Sequence, residues 1–300
     1  MPTYSFVTLD VFTDTRFGGN PLAVFTDARG LTGEQMQALA TEFNLSETTF
    51  ILPPEDPANT ARVRIFNPSA EMPFAGHPSV GTGYVLSKMR GGDALRLEVP
   101  AGIVEVTIQR DADGQPTGGI IAAPQPLSTG MILPADHASA CAGLHVSDLV
   151  TDTHPPILAS TGNPFFFAEV TPEALTRAAP NLAAFQTALA AHSDQLETQR
   201  LALHLYARDP NAKNGGRIRA RMFAPLSGTW EDAATGSANV TLAALLLSFT
   251  DADEGAWEII QGVEMGRPSL LSATARRTAD GIRATVGGGC VPVLKGEAEL

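Results

Sequence analysis

The chain has 300 residues, 44% hydrophobic and 17% charged, with a net charge of −12. That acidity speaks against nucleic acid or an anionic membrane as the main partner, because both need a basic surface. The longest apolar run, near Ala243–Phe249, is far short of the ~20 residues that a membrane span requires. The two cysteines, Cys141 and Cys290, sit in unrelated contexts and form no paired motif, as expected of a cytoplasmic chain with reduced structural thiols. The start, MPTYSFVTLDVF, has no basic region followed by an apolar run, so no signal peptide is expected.

Tyr4–Val11 alternates and is rich in β-formers, which predicts a first strand. Gly18–Pro21 reads as a turn and Leu22–Phe25 as a second strand. Thr32 starts a helix to Phe43, with Gln35 completing a capping box and Met36, Leu39, Ala40 and Phe43 forming its buried stripe. Strands are expected at Thr48–Leu52 and Arg62–Phe66, followed by the loop EMPFAGHP and a helix from about Ser79. Leu95–Val99, Ile103–Gln109 and Gly119–Ala123 read as strands, with a turn at Asp111–Gly114. After Pro124 and Pro126 come strands at Ile157–Ser160 and Phe165–Val170, then a helix capped by Thr171 with Pro172 at its first position. Pro180 ends that helix, and another runs to about Ala191. Leu201–Ala207 and Arg217–Phe223 read as strands around a polar loop at Asn211–Gly216, and a helix follows from about Ser237. Strands near Ser269–Ala275, Gly281–Val286 and Val291–Leu294 close the chain, with the glycines at 287–289 as a bulge or turn.

The two halves echo each other. Gly19-Asn20-Pro21 matches Gly162-Asn163-Pro164, and RIFNP at 64–68 matches RMFAP at 221–225. A glycine-containing loop and a helix follow in each half. Three ordered matches imply a duplicated, pseudo-symmetric pair of domains.

The loop–helix pairs carry the chemistry. A helix start presents N–H groups without internal partners and a partial positive charge, so it binds carboxylate or phosphate without a lysine. Two such starts explain how an acidic protein takes a small anionic substrate. Gly76 and Gly236 lend backbone N–H groups, His77 and Asp232 are candidates for proton transfer, and Ser237, Asn20 and Asn163 are candidate substrate contacts. Asp232 also suits a helix N-cap. No HExxH, Walker lysine or nucleotide-binding glycine motif is present, so a metal site is not expected and a cofactor-independent proton movement fits best. Arg64 and Arg221 read as partners in structural ion pairs.

GGNPLAV, FNLSETTFIL, RIFNPSAEMPFAGHPSVGTG, RMFAP, EDAATGSA and QGVEMGRPSLL together resemble the phenazine-biosynthesis PhzF-like isomerases, which share the diaminopimelate epimerase fold. The resemblance implies an α+β protein of two similar domains, each a barrel-like mixed sheet around a central helix. It places an N-terminal domain at 1–125, with about 287–300 closing back onto it, a C-terminal domain at 126–286, and the active site in the cleft between them. It implies a homodimer, no cofactor, and isomerase activity like that on trans-2,3-dihydro-3-hydroxyanthranilate. By the same resemblance Glu47, of SETTF, is the acid/base that moves the proton, with His77, Asp232 and Ser237 around the substrate. Epimerases of this fold use two cysteines at the paired helix starts. Here those places are read as filled by Gly76 and Asp232, which disfavours a two-thiol racemase. An amino-acid epimerase and a catalytically silent ligand-binding protein remain the alternatives.

Overall fold

The computed structural model describes residues 2–196, 200–209, 212 and 216–300. In chain order the elements are β1 (Thr3–Val11), β2 (Asn20–Phe25), α1 (Gly33–Phe43), β3 (Glu47–Leu52), β4 (Ala61–Phe66), β5 (Glu71–Met72), α2 (Gly76–Arg90), β6 (Ala94–Val99), β7 (Gly102–Arg110) and β8 (Pro116–Ala122). There follow β9 (Ser128–Ile132), α3 (Ala135–Cys141), β10 (Ile157–Ser160), β11 (Pro164–Glu169), α4 (Pro172–Arg177), α5 (Leu182–His192) and β12 (Leu203–Arg208). The last are β13 (Arg217–Ala224), β14 (Thr229–Asp232), α6 (Gly236–Ser248), β15 (Glu254–Gln261), β16 (Ser269–Thr278) and β17 (Gly281–Glu299). The chain divides into one unit of residues 1–122 and 286–300 and a second of residues 123–285.

In the first unit the strand pairings return to their start. β1 pairs antiparallel with β2, β2 parallel with β3, β3 antiparallel with β4, and β4 parallel with β6. β6 pairs antiparallel with β7 and β7 with β8; β8 pairs with β17, and β17 antiparallel with β1. Eight strands thus close into a barrel, which removes the exposed edges of an open sheet. α2 packs against β1, β2, β3, β6, β7 and β8, and every residue from Gly76 to Ser87 is buried. A helix buried on all sides is central, and its small residues let it fit. A Cβ on Gly81 would lie 2.6 Å from Leu22 Cδ2, and one on Gly83 2.7 Å from Val106 Cγ1.

α1 covers the outside of this barrel. Its capping box forms as the sequence indicates: Thr32 Oγ1 accepts from the Gln35 N–H, and Gln35 Oε1 accepts from the Thr32 N–H. Met36, Leu39 and Ala40 pack into a cluster with Phe25, Phe50 and Phe66.

The second unit repeats the order and sense of pairing. β10 pairs antiparallel with β11, β11 parallel with β12, β12 antiparallel with β13, β13 parallel with β15, and β15 antiparallel with β16. α6 packs against β10, β11, β15 and β16, and between Gly236 and Leu247 only Ser237 is not buried. Each half also carries a short hairpin before its central helix, β4–β5 and β13–β14. The duplication is therefore one of topology as well as of motif. α3, α4 and α5 add a separate outer core around Phe166, Phe185 and Phe223.

Several expectations are corrected. α2 begins at Gly76 and not at Ser79, because Pro78 is tolerated in a first turn. β5, β9, α3, β14 and β15 were not foreseen. The two late strands are one strand, β17, and glycines 287–289 lie inside it. A Cβ at Gly287 would sit 2.7 Å from the Gly119 carbonyl oxygen and one at Gly289 2.6 Å from that of Thr13, so these glycines permit close backbone approach within a strand. Most of the polar loop expected at 211–216 lies outside the described residues. Among the described residues no helix is long and apolar enough to cross a membrane.

Candidate active site

In the first unit the fold gathers four of the candidates. Asn20 opens β2, Glu47 opens β3, and the parallel pairing of β2 with β3 sets Leu22 beside Glu47. Gly76 and His77 begin α2, whose cap residue Ala75 makes no side-chain capping bond. The turn before Asn20 requires its glycine: Gly19 has φ +64°, and a Cβ there would lie 2.4 Å from the Val11 carbonyl oxygen.

His77 is buried, and its Nε2 lies 3.3 Å from Glu47 Oε2. The Asn20 amide nitrogen lies 3.3 Å from His77 Nδ1, and Asn20 Oδ1 accepts from Ser46 Oγ at 2.8 Å. Burial pushes the His77 pKa down to about 3, against an opposing pull from the Pro21 carbonyl. The imidazole is neutral, and its contact with Glu47 is that of a dipole and not of an ion pair. The Glu47 side chain is 15% exposed. The Glu47 carboxylate is thus shielded beside a neutral ring and meets no full positive charge from it.

Asn20 is itself buried. Its side-chain amide reaches both His77 and Ser46. Ser46, next to Glu47 in SETTF, reaches the Asn20 amide.

The second unit gathers Asp232, Gly236 and Ser237 at the start of α6. Asp232 is not the N-cap. That position is Thr235, which makes no side-chain capping bond but donates its Oγ1 proton to Asp232 Oδ2 at 2.7 Å. Ser237 is the only residue of the first turns of α6 that is partly open to solvent. Asn163 is partly exposed at the β10–β11 turn and shares no hydrogen bond with the other candidates among the described residues.

Register shows which positions correspond. Ile65 pairs with Met72 and Met222 with Asp232, so Asp232 answers to Met72, and Gly76 to Gly236. Within this chain, Gly76 and Asp232 are thus not register equivalents of each other. Arg64 forks onto Glu71 at 2.7 and 2.6 Å, and Arg221 onto Glu231 at 2.8 and 2.8 Å, each guanidinium 5.0 Å from a following phenylalanine ring. Both arginines hold ion pairs, as the sequence indicates.

Neither cysteine is near a helix start. Cys141 ends α3 and Cys290 lies on β17, and burial raises both thiol pKa values, that of Cys141 to about 12. Among the described residues no three His, Cys, Asp or Glu side chains converge on one point.

The sequence profile of the phenazine biosynthesis-like proteins matches residues 9–296. The chain belongs to that family. It is similar to the trans-2,3-dihydro-3-hydroxyanthranilate isomerase of Pseudomonas chlororaphis, at 36% identity over 99% of this chain and 100% of that one. A PhzF-family phenazine biosynthesis protein of Bacillus anthracis superposes with a TM-score of 0.87 over 100% of both chains, at 24% identity. A hydroxyproline epimerase of Agrobacterium vitis shares the fold at a TM-score of 0.61 and 14% identity, over 99% of this chain and 93% of that one. This PhzF-family chain is an isomerase, and its α+β architecture is that of the epimerase-like fold.

Proposed function

We propose that the chain is a cofactor-independent isomerase that moves a proton within a small cyclic or unsaturated carboxylate. Glu47 takes the proton from one carbon and returns it to another. The observation that carries this is the arrangement of Glu47 against a buried, neutral His77 whose ring is held by Asn20 and Ser46. The backbone N–H groups that begin α2, beside Glu47 and His77, bind an anionic group of the substrate. The similar Pseudomonas chlororaphis enzyme is named for trans-2,3-dihydro-3-hydroxyanthranilate, which makes that compound the first substrate to try.

An amino-acid epimerase working through two thiols is disfavoured, because both thiols are buried and distant in sequence from either helix start. A homodimer in the cytoplasm completes the proposal. Size-exclusion chromatography with light scattering tests the dimer.

The decisive experiment is an NMR time course in D₂O with trans-2,3-dihydro-3-hydroxyanthranilate, using wild type and Glu47→Gln. Conversion with deuterium entering carbon by the wild type alone supports the proposal. Conversion by both removes Glu47 from its role. Conversion by neither moves the substrate elsewhere and favours a ligand-binding protein without turnover.

A further inference from the structure

The stretch QGVEMGRPSLL contributes none of the candidate site residues, yet it wraps the loop that carries Asp232. Gln261, the last residue of β15, is fully buried. Its Oε1 accepts from the Thr235 N–H at 3.2 Å and from Asn239 Nδ2 at 2.7 Å. Its Nε2 donates to the Asp232 carbonyl oxygen at 2.8 Å and to Thr235 Oγ1 at 3.1 Å. All four hydrogen-bonding directions of the amide are used, and a flipped amide would set donors against donors. Thr235 Oγ1, which receives the Gln261 proton, passes its own to Asp232 Oδ2.

The neighbours serve the same loop. Gly262 has φ +76°, and a Cβ there would lie 2.6 Å from the Ala233 carbonyl oxygen. Ser269 Oγ donates to that oxygen at 2.9 Å. Asn239, on α6, is held in turn by His204 Nε2 at 3.1 Å from its Oδ1. His204 is fully buried, and burial pushes its pKa down to about 3, so it is a neutral donor here.

The first half offers an internal comparison. Arg62 pairs with Glu98 where Arg219 pairs with Ile260, so the position answering to Gln261 is Val99, a buried apolar residue. The strand end needs no amide for packing. The half that has Asp232 in place of Met72 is also the half that has Gln261 in place of Val99. A buried amide costs free energy unless all its bonds are made, so its presence points to a task for which valine does not serve.

We infer that Gln261 is a positioning residue for Asp232, acting through the Thr235 hydroxyl. The inference rests on Asp232 being a site residue, as the resemblance implies. Gln261 fixes the loop backbone at Asp232 and forces the Thr235 hydroxyl to point its proton at the carboxylate. Methionine at 261 keeps the length of the side chain without adding charge, but it donates to neither the Asp232 carbonyl nor Thr235 Oγ1, so the loop and the hydroxyl lose what orients them.

The test uses Gln261→Met and Thr235→Val in the full chain, with folding verified by amide spectra. The ¹³C carboxyl signal of Asp232 is titrated in each and in the wild type. The expected result is titration at higher pH in both variants, because the carboxylate loses a donor in each. Unchanged titration in both, even with lowered stability, overturns the inference and leaves Gln261 as packing. A shift in Thr235→Val alone overturns the part of Gln261. Where the wild type converts the hydroxyanthranilate, both variants should lower kcat/KM about tenfold or more, as for a lost bond to a charged group. A wild type that converts nothing moves the substrate elsewhere, while the titration still decides the part of Gln261.

Discussion

Replacing Arg221 by methionine should destabilise the second unit far more than replacing Arg64 by methionine destabilises the first. The two arginines occupy equivalent places and make equivalent forks, so each is the control for the other. Their surroundings differ. Arg221 and Glu231 are 7% and 11% exposed, whereas Arg64 and Glu71 are 27% and 32% exposed. Arg221 Nη1 also donates to the carbonyl oxygens of Leu175 at 3.0 Å and Ala178 at 2.6 Å, at the C-terminal end of α4. Arg221→Met leaves the Glu231 carboxylate in a buried place facing Glu264, whose nearest oxygen is 4.0 Å from Arg221 Nε. Removing one partner of a buried pair costs about 3–5 kcal/mol, and the bare carbonyls add to it. The more open Arg64–Glu71 pair contributes about 0–1 kcal/mol. Both tryptophans, Trp230 and Trp257, lie in the second unit, so urea unfolding followed by tryptophan emission reads that unit directly. Amide hydrogen exchange of β4 reads the first. Equal losses for the two variants would refute the argument from burial. Glu231→Leu added to Arg221→Met should recover only part of the loss, because the carbonyls of α4 stay unpaired.

Other outcomes follow from the same structure. Asn20→Leu should lower turnover without removing Glu47, because the His77 ring loses a partner that holds it; stopped-assay kinetics with intact substrate binding would show it, and unchanged kcat would argue against a positioning part for Asn20. Both cysteines should resist alkylation at pH 8 in the native protein and react in urea, and Cys141→Ala with Cys290→Ala should keep activity; loss of activity without loss of fold would revive a thiol mechanism. His77 and His204 stay neutral when folded, with pKa values near 3 against an ordinary 6.5. Unfolding therefore takes up protons below pH 6.5, so stability is full above that pH and falls as pH drops toward 3, by about 1.4 kcal/mol per pH unit for each histidine. Urea midpoints across that window check the sign, and a His204→Gln variant should have a shallower slope. Gly81→Val should destabilise the first barrel by about 1–3 kcal/mol or more, since its side chain would collide with Leu22 and Val11.

Much of this was legible in the sequence where local chemistry decides structure. The Thr32–Gln35 box, the two glycine turns before Asn20 and Asn163, and the arginine–glutamate pairs are all written within ten residues. The grouping of Glu47 with His77 came only through resemblance, because β2 and β3 pair in parallel across α1 and no spacing announces that. β15 was missed, since EGAWEIIQ begins with acidic and small residues and ends on a glutamine that looks solvent-bound until Asp232, Thr235 and Asn239 are seen around it. α3 has too many alanines and serines to show an apolar stripe. β5 and β14 are hairpin partners only a few residues long, set by register with β4 and β13. Glycines 287–289 read as a break because nothing local reveals the backbones of Gly119 and Thr13 pressing against them.

The closing strand has a consequence for how the protein is made. β17 supplies the pairings to β1 and β8 that seal the first barrel, and from residue 286 on it leaves the ribosome after every residue of the second unit. The first barrel, with α2 inside it, therefore waits unsealed through synthesis of residues 123–285. During that interval β1 and β8 are exposed edges and Cys290 has not yet covered the barrel interior. Nascent chains halted before about residue 286 should carry a protease-sensitive first unit, and translation speed across the second unit becomes a determinant of yield.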